Sequence, residues 1–404
     1  MTNSVTALFK EVWAKKMETT FLKENQSDIF ADMSFNSELQ SGDVLHRQLD
    51  GIDANAAPGI HTRGSEISAT DISVSDETLT INREFATLFY VDRFDEKQSD
   101  IGIASHYASQ YGTLMKNQID ADTFGEVVNS ASTVDAGDVG GTAGQGITLA
   151  ITNVLNVVSA VHKKIKKLNV PTQNMKGAVS PEFIEILTLY GAGRDTQLGD
   201  EMNRKGFYGK FYNIDMYETN NLTGTAVLAL ATNPTANDTV TIAGQVFTFV
   251  ASIGTTAGNV LIGASADATR ANLATLINAP QTTTATGVAL TGQTLKNFRA
   301  RVTAVNDDTA NTLKVTYKGA GVLEVSETLT AGGDVWTTTL QKQHCLFVAD
   351  KWPALVIQQT PNVMIKEEPR MNGANTIMTC LYGLKTYTDQ SKKMVNVELN
   401  ASTF

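Results

Sequence analysis

The chain has 404 residues, of which 42% are hydrophobic and 18% are charged. At about 100–200 residues per domain, this length predicts two or three domains. The low charge and ample apolar content exclude an intrinsically disordered chain. With 32 basic and 42 acidic residues the net charge is -10, so the whole chain lacks the excess of Lys and Arg that phosphate contacts require. No apolar run approaches the ~18 residues of a membrane span, and an integral membrane protein is not expected.

The cysteines and the first residues bear on the compartment in which the chain folds. Cys345 and Cys380 are the two cysteines, which cannot form a disulfide framework, although one bridge is possible. The first ten residues contain no basic region followed by an apolar one, so no secretory signal is expected. We therefore expect the protein to fold in a cytoplasm.

The start of the chain combines a helical pattern with a long extended segment. Apolar residues spaced by three and four positions predict an amphipathic helix over residues 5–26. Residues 35–81 are polar and glycine-punctuated, with strand-like sequences at 44–49 and 79–91. Long segments of this kind inside compact domains are generally functional or disordered. We predict an extended, two-stranded arm that projects from the body and contacts a partner.

Three helices are predicted in the next part of the chain. The first covers residues 95–128 and begins with acidic residues, which the helix dipole favours. The second covers residues 147–168 and ends in a lysine-rich turn. The third follows a short strand at 177–179, because Ser180-Pro181 provides an N-cap and a proline at the first helical position; it is expected to reach Leu189.

A change of composition near Asn221 predicts a second domain. Residues 206–217 alternate aromatic and polar residues like a strand, but residues 223–339 are dominated by Thr, Ala, Gly, Val and Leu. Threonine favours half-buried pleated surfaces, so a small β-rich domain with one helix is expected. Its predicted elements are a hairpin at 239–250, a helix at 264–279, and strands at 288–290, 300–305, 313–317 and 323–329. The earlier composition resumes at Cys345, with strands predicted at 345–348, 355–358, 378–385 and 392–399, so one domain interrupts another.

The pattern most like an enzyme motif is Gly141-Thr142-Ala143-Gly144-Gln145-Gly146-Ile147-Thr148. It has the glycine spacing and the terminal threonine of a phosphate-binding loop. However, Ile147 stands where a lysine must reach the β- and γ-phosphates. We therefore interpret this segment as a flexible connection between two helices.

No pattern predicts a metal site or a catalytic centre. The five histidines are His46, His61, His106, His162 and His344. Only His344 adjoins another soft ligand, Cys345, and adjacent strand residues point to opposite faces. Asp50 with Asp53, and Asp307 with Asp308, lack the spacing of a calcium loop and are predicted to lie in turns. No Gly-x-Ser-x-Gly motif marks a nucleophile.

Two features resemble nucleic-acid contacts but have simpler interpretations. The basic cluster is interpreted as a solvated helix end; its members are Lys163, Lys164, Lys166 and Lys167. The aromatic cluster is interpreted as strand packing, which agrees with the negative net charge better than base stacking does; its members are Phe207, Tyr208, Phe211, Tyr212 and Tyr217. We predict no catalytic residue, no cofactor and no metal.

The order of these elements resembles the major capsid protein of tailed bacteriophages, the Hong Kong 97 type shell fold. The resemblance is carried by the strand at 79–92 that enters the helix at 95–128, and by the strand and helix at 177–189. Residues 206–221 look like the Gly-x-x-Gly-x-φ-x-x-φ strand of such shells, and residues 382–399 look like their closing hairpin. The segment that contains Asp238-Thr239-Val240-Thr241-Ile242 is similar to small β-domains of phage structural proteins.

This resemblance implies an α+β shell fold with an N-terminal arm, an extended hairpin loop, a long spine helix, and peripheral and axial domains. The implied segments are 1–34 for the N-terminal arm, 35–82 for the extended loop, 83–221 with 342–404 for the discontinuous body, and 222–341 for a β-rich insertion domain. The insertion is expected to stabilise the monomer, tie capsomers together or decorate the outside.

The resemblance also implies a structural protein, not an enzyme. It would assemble from copies of itself, as hexamers and pentamers, into the icosahedral shell that encloses double-stranded DNA. Scaffolding, portal and decoration proteins are the other implied partners, with no sequence-specific DNA binding and no membrane. The implied location is the virion, assembled in the host cytoplasm. Alternatives are a tail or decoration component, which needs no spine helix, and a nucleotide-binding enzyme that uses the glycine-rich loop at 137–146.

Charge on the arm suggests how copies would meet. Opposite charges lie close together in three places, Arg47 with Asp50, Arg63 with Glu66, and Arg83 with Glu84. On a segment that reaches over a neighbour, such pairs set the register of contact more than its affinity. We predict that the arm and the N-terminal helix supply intersubunit contacts. We also predict that acidic residues line the inner face, because a lining that binds phosphate weakly favours DNA filling.

Overall fold

The computed structural model describes eight segments of the chain, to which all structural statements refer. They are residues 25–50, 59–66, 74–99, 103–193, 210–319, 321–330, 333–367 and 372–401. Nearly all of the helix predicted at 5–26 lies outside these segments, as do residues 206–209 of the predicted aromatic strand.

Helices and strands are numbered here in chain order. The α-helices of the described residues are α1 (Ser27–Phe30), α2 (Arg93–Ser99), α3 (Ile103–Gly125), α4 (Val154–Lys167), α5 (Pro181–Ala192), α6 (Ala266–Asn278), α7 (Gly292–Arg301) and α8 (Thr388–Ser391). The first strands are β1 (Val44–Asp50), β2 (Val74–Asp92), β3 (Ser132–Val134), β4 (Met175–Val179), β5 (Lys210–Phe211), β6 (Ile214–Glu218), β7 (Thr223–Ala229), β8 (Thr239–Ile242) and β9 (Gln245–Val250). The remaining strands are β10 (Asn259–Leu261), β11 (Val302–Asp307), β12 (Thr312–Tyr317), β13 (Val325–Glu327), β14 (Lys342–Ala349), β15 (Ala354–Glu367), β16 (Gly373–Lys385) and β17 (Met394–Asn400).

Strand β2 belongs to the arm at one end and to the body at the other. Its first half pairs antiparallel with β1, from Asp50 opposite Val74 to Val44 opposite Thr80. Its second half pairs antiparallel with β16, and β15 completes a four-stranded sheet in the order β1-β2-β16-β15. The predicted pair of arm strands is present, and it continues directly into a sheet of the body.

The helix predicted over residues 95–128 is divided into several pieces. Helix α2 ends at Ser99, α3 begins at Ile103, and Glu126–Asn129 form a 3₁₀ helix. Gly102, a poor helix former, lies in the sequence between α2 and α3. The four-stranded sheet β1-β2-β16-β15 is called the arm sheet below. Helix α3 packs on it through a cluster of buried residues, which comprises Ala31, Met115, Ile119, Leu355, Met378, Cys380 and Tyr382.

A nine-stranded sheet has strand β14 at its centre and divides there into two branches. One edge of β14 pairs with β17 from Lys342 to Val348, and β17 pairs with β3. The other edge pairs with β7 over residues 342–344 and with β4 over residues 346–349. The β4 branch continues to β6 and β5, and the β7 branch continues to β12 and β11.

Helix α4 packs against β17 and β3, and α5 packs against α4. Helix α4 buries a valine-rich stripe that ends at Ile165, and α5 begins as predicted, with the Ser180 hydroxyl accepting a hydrogen bond from the Phe183 amide. The prediction that α4 begins at 147 is wrong, because the Ile147 amide donates to the Glu398 carbonyl and joins the edge of β17. Residues 147–153 are therefore tied to the sheet before the helix begins.

The aromatic segment near residue 212 is a hairpin, not the continuous strand that was predicted. Tyr212 and Asn213 both have positive φ, 51° and 62°, so the chain reverses there. Phe211 then faces Ile214 across an antiparallel pair. Residues 210 and 211 form β5, and β6 runs parallel to β4.

A separate hydrophobic core lies between residues 226 and 336. It is enclosed by the β7 branch, by helix α6 and by a second four-stranded sheet in the order β10-β9-β8-β13. The predicted hairpin and helix α6 are present. Residues 288–290 are not a strand, and α7 replaces the start of the strand predicted at 300–305. Leu295 and Phe298 are the only large apolar residues of α7, so its helical period is weak.

The two C-terminal strands do not form the closing hairpin that the resemblance implied. Strand β16 lies in the arm sheet, whereas β17 lies between β14 and β3 in the nine-stranded sheet. Six of the seven residues of β17 are buried, which requires cover on both faces and favours an interior position over a solvent-facing hairpin.

Candidate interaction surfaces

The glycine-rich loop has an internal structural role. The Gly144 amide donates to Asp135 Oδ2 at 2.6 Å, and its carbonyl accepts from Lys342 Nζ at 2.7 Å. A Cβ on Gly146 would lie 2.9 Å from the backbone of Asn400. The next helix begins seven residues after Ile147, so no helix N-terminus directly follows the loop, as a phosphate-binding loop would require.

The histidines that were considered as metal ligands are dispersed over the structure. His46 lies 2.7 Å from Asp76 on the arm, and His162 lies 2.9 Å from the Tyr212 carbonyl. His61 is in an exposed loop and His106 is on α3. Across the described segments, no group of three or more His, Cys, Asp or Glu side chains is arranged to hold a metal.

The two cysteines are free and buried, and they lie in different sheets. Burial raises the pKa of Cys345 to about 12 and that of Cys380 to about 11. Both thiols therefore stay protonated and unreactive at neutral pH.

The interpretation of the lysine cluster as a solvated helix end does not hold for Lys164, which is partly buried and pairs with the Asp138 carboxylate. Lys163, Lys166 and Lys167 are exposed at the end of α4. The described aromatic residues pack on rings within the body, with centroid separations of 6.3 Å for Phe211–Tyr190, 5.0 Å for Tyr212–His162 and 5.6 Å for Tyr217–Phe30. Asp307 was predicted to lie in a turn but is the last residue of β11, and its carboxylate accepts from the amides of residues 309 and 310 in the turn that follows.

An ion pair anchors the base of the arm on the body. The Arg47 guanidinium donates to both carboxylate oxygens of Asp389, at 2.6 and 2.8 Å, and lies 4.7 Å above the Tyr387 ring. This pairing raises the pKa of Arg47 and lowers that of Asp389. Arg47, one of the charges predicted to pair with a neighbouring copy, therefore pairs within its own chain. Alternation along β1 turns residue 47 towards the body and residue 50 towards solvent.

Apolar packing surrounds this anchor. Leu39, Leu79, Ile81 and Tyr387 are buried together with two residues of β15, Ala354 and Val356. The Thr388 amide also donates to the Glu77 carboxylate at 3.1 Å. The described part of the arm that leads away from this base is exposed, including the loop at residues 59–66.

Helix α3 carries two fully buried carboxylates near its C-terminal end. Asp120 accepts hydrogen bonds from the amides of Gln26 and Ser27, at 2.7 and 2.9 Å, and from the Asn221 side chain at 3.3 Å. Burial raises the pKa of Asp120, and these hydrogen bonds oppose the increase. Asp120 thereby ties the first described residues of the chain to α3.

The second carboxylate, Asp122, joins three other elements. Oδ1 lies 2.8 Å from Arg83 Nη1 on β2 and 3.4 Å from Lys318 Nζ just after β12. Oδ2 accepts from the Tyr382 hydroxyl on β16 at 2.6 Å, and burial and this charge raise the pKa of Tyr382. Arg83, another charge predicted to pair with a neighbouring copy, thus pairs with α3 of its own chain. The sequence analysis did not single out Asp120 or Asp122. The signal that could have identified them is the presence of two aspartates within the apolar stripe of a predicted helix.

Exposed apolar side chains lie on both faces of the far end of the arm sheet. Leu88, Phe94 and Ile365 are exposed. Apart from one bridge between Asp32 and Ala354, the outer edge of β15 pairs with no strand among the described residues. Open strand edges and exposed apolar side chains are features of surfaces that contact other chains.

The comparisons with known proteins identify the fold. No family model matches the chain, and a search of curated proteins finds no match. A solved structure from Mycobacterium phage Che8 is 13% identical with a TM-score of 0.57, and the match covers 96% of each chain. The capsid structure of Cyanophage P-SCSP1u is 11% identical with a TM-score of 0.56, covering 98% of this chain and 94% of that one. The mature capsid of bacteriophage PhiM1 is 9% identical with a TM-score of 0.51, covering 97% and 92%.

These likenesses cover nearly the whole chain and show an α+β fold that this protein shares with phage capsid structures. No helix among the described residues is both long enough and apolar enough to cross a membrane.

Proposed function

We propose that the protein is the major capsid protein of a tailed phage, a structural subunit and not an enzyme. The observation that supports this most is the likeness to phage capsid structures over 96–98% of the chain. The long helix α3, the projecting arm and the open edge of β15 agree with a subunit that makes many contacts with its own copies. A tail or decoration component would not need this combination over its full length.

The proposed domain division follows from this function. Residues 1–34 are the N-terminal arm, 35–82 the extended loop, 83–221 with 342–404 the body, and 222–341 the insertion. The separate core between residues 226 and 336 supports an insertion that is a domain of its own.

The proposed partners are those of a shell subunit. Copies of the chain form hexamers and pentamers, and scaffolding, portal and decoration proteins join them in a virion that is assembled in the host cytoplasm. The shell encloses double-stranded DNA without sequence-specific contacts and without a membrane. The net charge of -10 supports an acidic inner face that holds DNA weakly.

Negative-stain electron microscopy of the purified full chain tests this proposal. We expect closed shells, capsomers or curved sheets, because the subunit has to tile a closed surface. A discrete monomer at high concentration that binds nucleotide would overturn the proposal and favour an enzyme. The experiment requires no label and no variant.

A further inference from the structure

The arm leaves the body at a β-bulge in strand β2. Arg83 faces Tyr382 and Ile81 faces Gly383, so Asn82 is an extra residue in β2. A Cβ on Gly383 would lie 2.8 Å from the Thr80 carbonyl, and glycine there allows the strand to approach closely. Bulges bend a strand and increase its local twist. The partner of β2 also changes here, from β1 to β16, so residues 80–83 set the angle at which the arm projects.

Arg83 holds this bend to helix α3. Its guanidinium lies 2.8 Å from Asp122 and 3.9 Å from Glu126, one helical turn further along. Asp122 is completely buried and Glu126 is largely buried. A buried carboxylate requires compensating charge, and losing one partner of such a pair is strongly destabilising. The need to compensate these buried carboxylates therefore fixes the position of Arg83.

The segment proposed as the insertion supplies the other cation of the same network. Lys318 lies 3.4 Å from Asp122, and its aliphatic chain crosses α3 at Gly125. A Cβ on Gly125 would lie 2.7 Å from Lys318 Cδ, so glycine leaves the space that this side chain occupies.

Two neighbouring contacts hold the same face of α3. Arg301 Nε donates to Gln118 Oε1 at 2.7 Å. Gly319 lies against Ala121, since a Cβ on Gly319 would be 2.8 Å from the Ala121 methyl group. Both contacts come from the polypeptide between β7 and β14. The same part of α3 therefore contacts the polypeptide between β7 and β14 on one side and the arm on the other.

We propose that Lys318 is a positioning residue for the arm. Lys318 and Arg83 share Asp122 Oδ1, so the contact between the insertion and α3 sets the charge environment that holds β2 at its bulge. Displacement of the insertion from α3 loosens the base of the arm, and movement of the arm weakens the hold on the insertion. The consequence for shell assembly, that the insertion fixes the arm angle before neighbours meet, rests on the proposed function.

Hydrogen–deuterium exchange of the unassembled full chain tests this coupling. Lys318→Met keeps the aliphatic chain and removes the charge, so we expect amides in residues 79–86 to exchange about tenfold faster. Gly125→Ala places a methyl group where Lys318 lies, keeps every charge and favours the helix; it should produce the same acceleration. Lys314→Met, on the exposed face of β12, is the matched control and should leave these amides unchanged.

Two outcomes would overturn the coupling. Unchanged exchange at residues 79–86 in Lys318→Met would show that the arm is held by the Arg47 anchor alone. Equal acceleration in α6 would show that the variant loosens the insertion itself. Exchange is measured before assembly, so a wild-type chain that forms no shells, capsomers or sheets and binds nucleotide as a monomer would overturn the proposed function and leave the coupling intact.

Discussion

At the scale of single residues, His344 shows how a candidate ligand becomes part of the core. It is buried on β14, where Nε2 lies 2.9 Å from the Thr225 hydroxyl and Nδ1 lies 3.0 Å from Asn396 Oδ1. A neutral ring satisfies both contacts, since Nδ1 donates to the amide oxygen and Nε2 accepts from the hydroxyl. Thr225 is on β7 and Asn396 is on β17, so this imidazole joins three strands where the sheet divides.

Protonation of His344 should destabilise the fold. Burial lowers its pKa from 6.5 to about 4, so below pH 6.5 the unfolded chain binds a proton that the folded chain does not. Its contribution to stability is complete above pH 6.5 and is lost as the pH falls towards 4. In His344→Gln, the slope of unfolding free energy against pH in this window should decrease by up to about 1.4 kcal/mol per pH unit.

Urea denaturation at several pH values between 4 and 7 measures this slope. His61→Gln, in the exposed loop at residues 59–66, is the control and should leave the unfolding free energy nearly unchanged. An unchanged slope in His344→Gln would contradict the assignment of a neutral, buried imidazole.

At the scale of elements, close packing between β4 and β14 depends on one glycine. Gly177 faces Phe347 across the antiparallel pair, and a Cβ there would lie 2.8 Å from the Phe347 ring and 3.1 Å from Met216 Sδ. Gly177→Ala should therefore cost about 1–3 kcal/mol of stability through overpacking.

Chemical denaturation of the variant and the wild type gives this difference. Gly59→Ala is a suitable control, because a Cβ at residue 59 meets no atom within 4 Å and its substitution should be nearly neutral. Equal stability of Gly177→Ala and wild type would mean that the Phe347 ring moves aside without cost.

The sequence predicted an element well where its signals, a helix N-cap residue or a helical spacing of apolar residues, lie within that element's own segment of the chain. Ser180 before Pro181 indicated the start of α5, and the apolar face around Leu273 indicated α6. Pairing over long distances had no such signal: strands β16 and β17 are separated by one short helix, yet they lie in different sheets. The buried side chain of Arg270 was also missed; its Nε donates to Asn306 at 3.0 Å, and only the fold brings that partner to it.

At the scale of the whole molecule, the order of elements was enough to suggest the fold, although two arginines that were predicted to pair with a neighbouring copy pair within the chain. Arg47 and Arg83 both face the body, where they pair with Asp389 and Asp122. Strand alternation could have indicated that one face of β1 is turned towards the body. It could not identify the acidic partners, because Asp389 lies 342 positions from Arg47 and Asp122 lies 39 positions from Arg83 along the chain. The proposed contacts with neighbouring copies therefore fall to the exposed part of the arm.

Removing that exposed part should prevent assembly without unfolding the subunit. Residues 48–76 are replaced by Asn-Gly, which joins the paired residues Arg47 and Glu77 through a two-residue turn. The base cluster around Leu79 stays intact, so we expect thermal unfolding close to that of the wild type and no closed shells by electron microscopy. Normal particles from this variant would contradict the role of the arm. A larger deletion of residues 35–78 is less suitable, because it would also expose the apolar cluster at the base of the arm.

The division of the nine-stranded sheet at β14 has a mechanical consequence. The polypeptide enters the proposed insertion through β7 and returns through β14, and β14 continues without interruption into the proposed body. A force that pulls the insertion outwards along these strands loads seven residue pairs with β17 and four with β4 in shear. Bonds loaded in shear have to break together, whereas bonds that are peeled break one at a time. In the proposed shell, tension applied to the proposed insertion would therefore pass through β14 into the centre of the subunit.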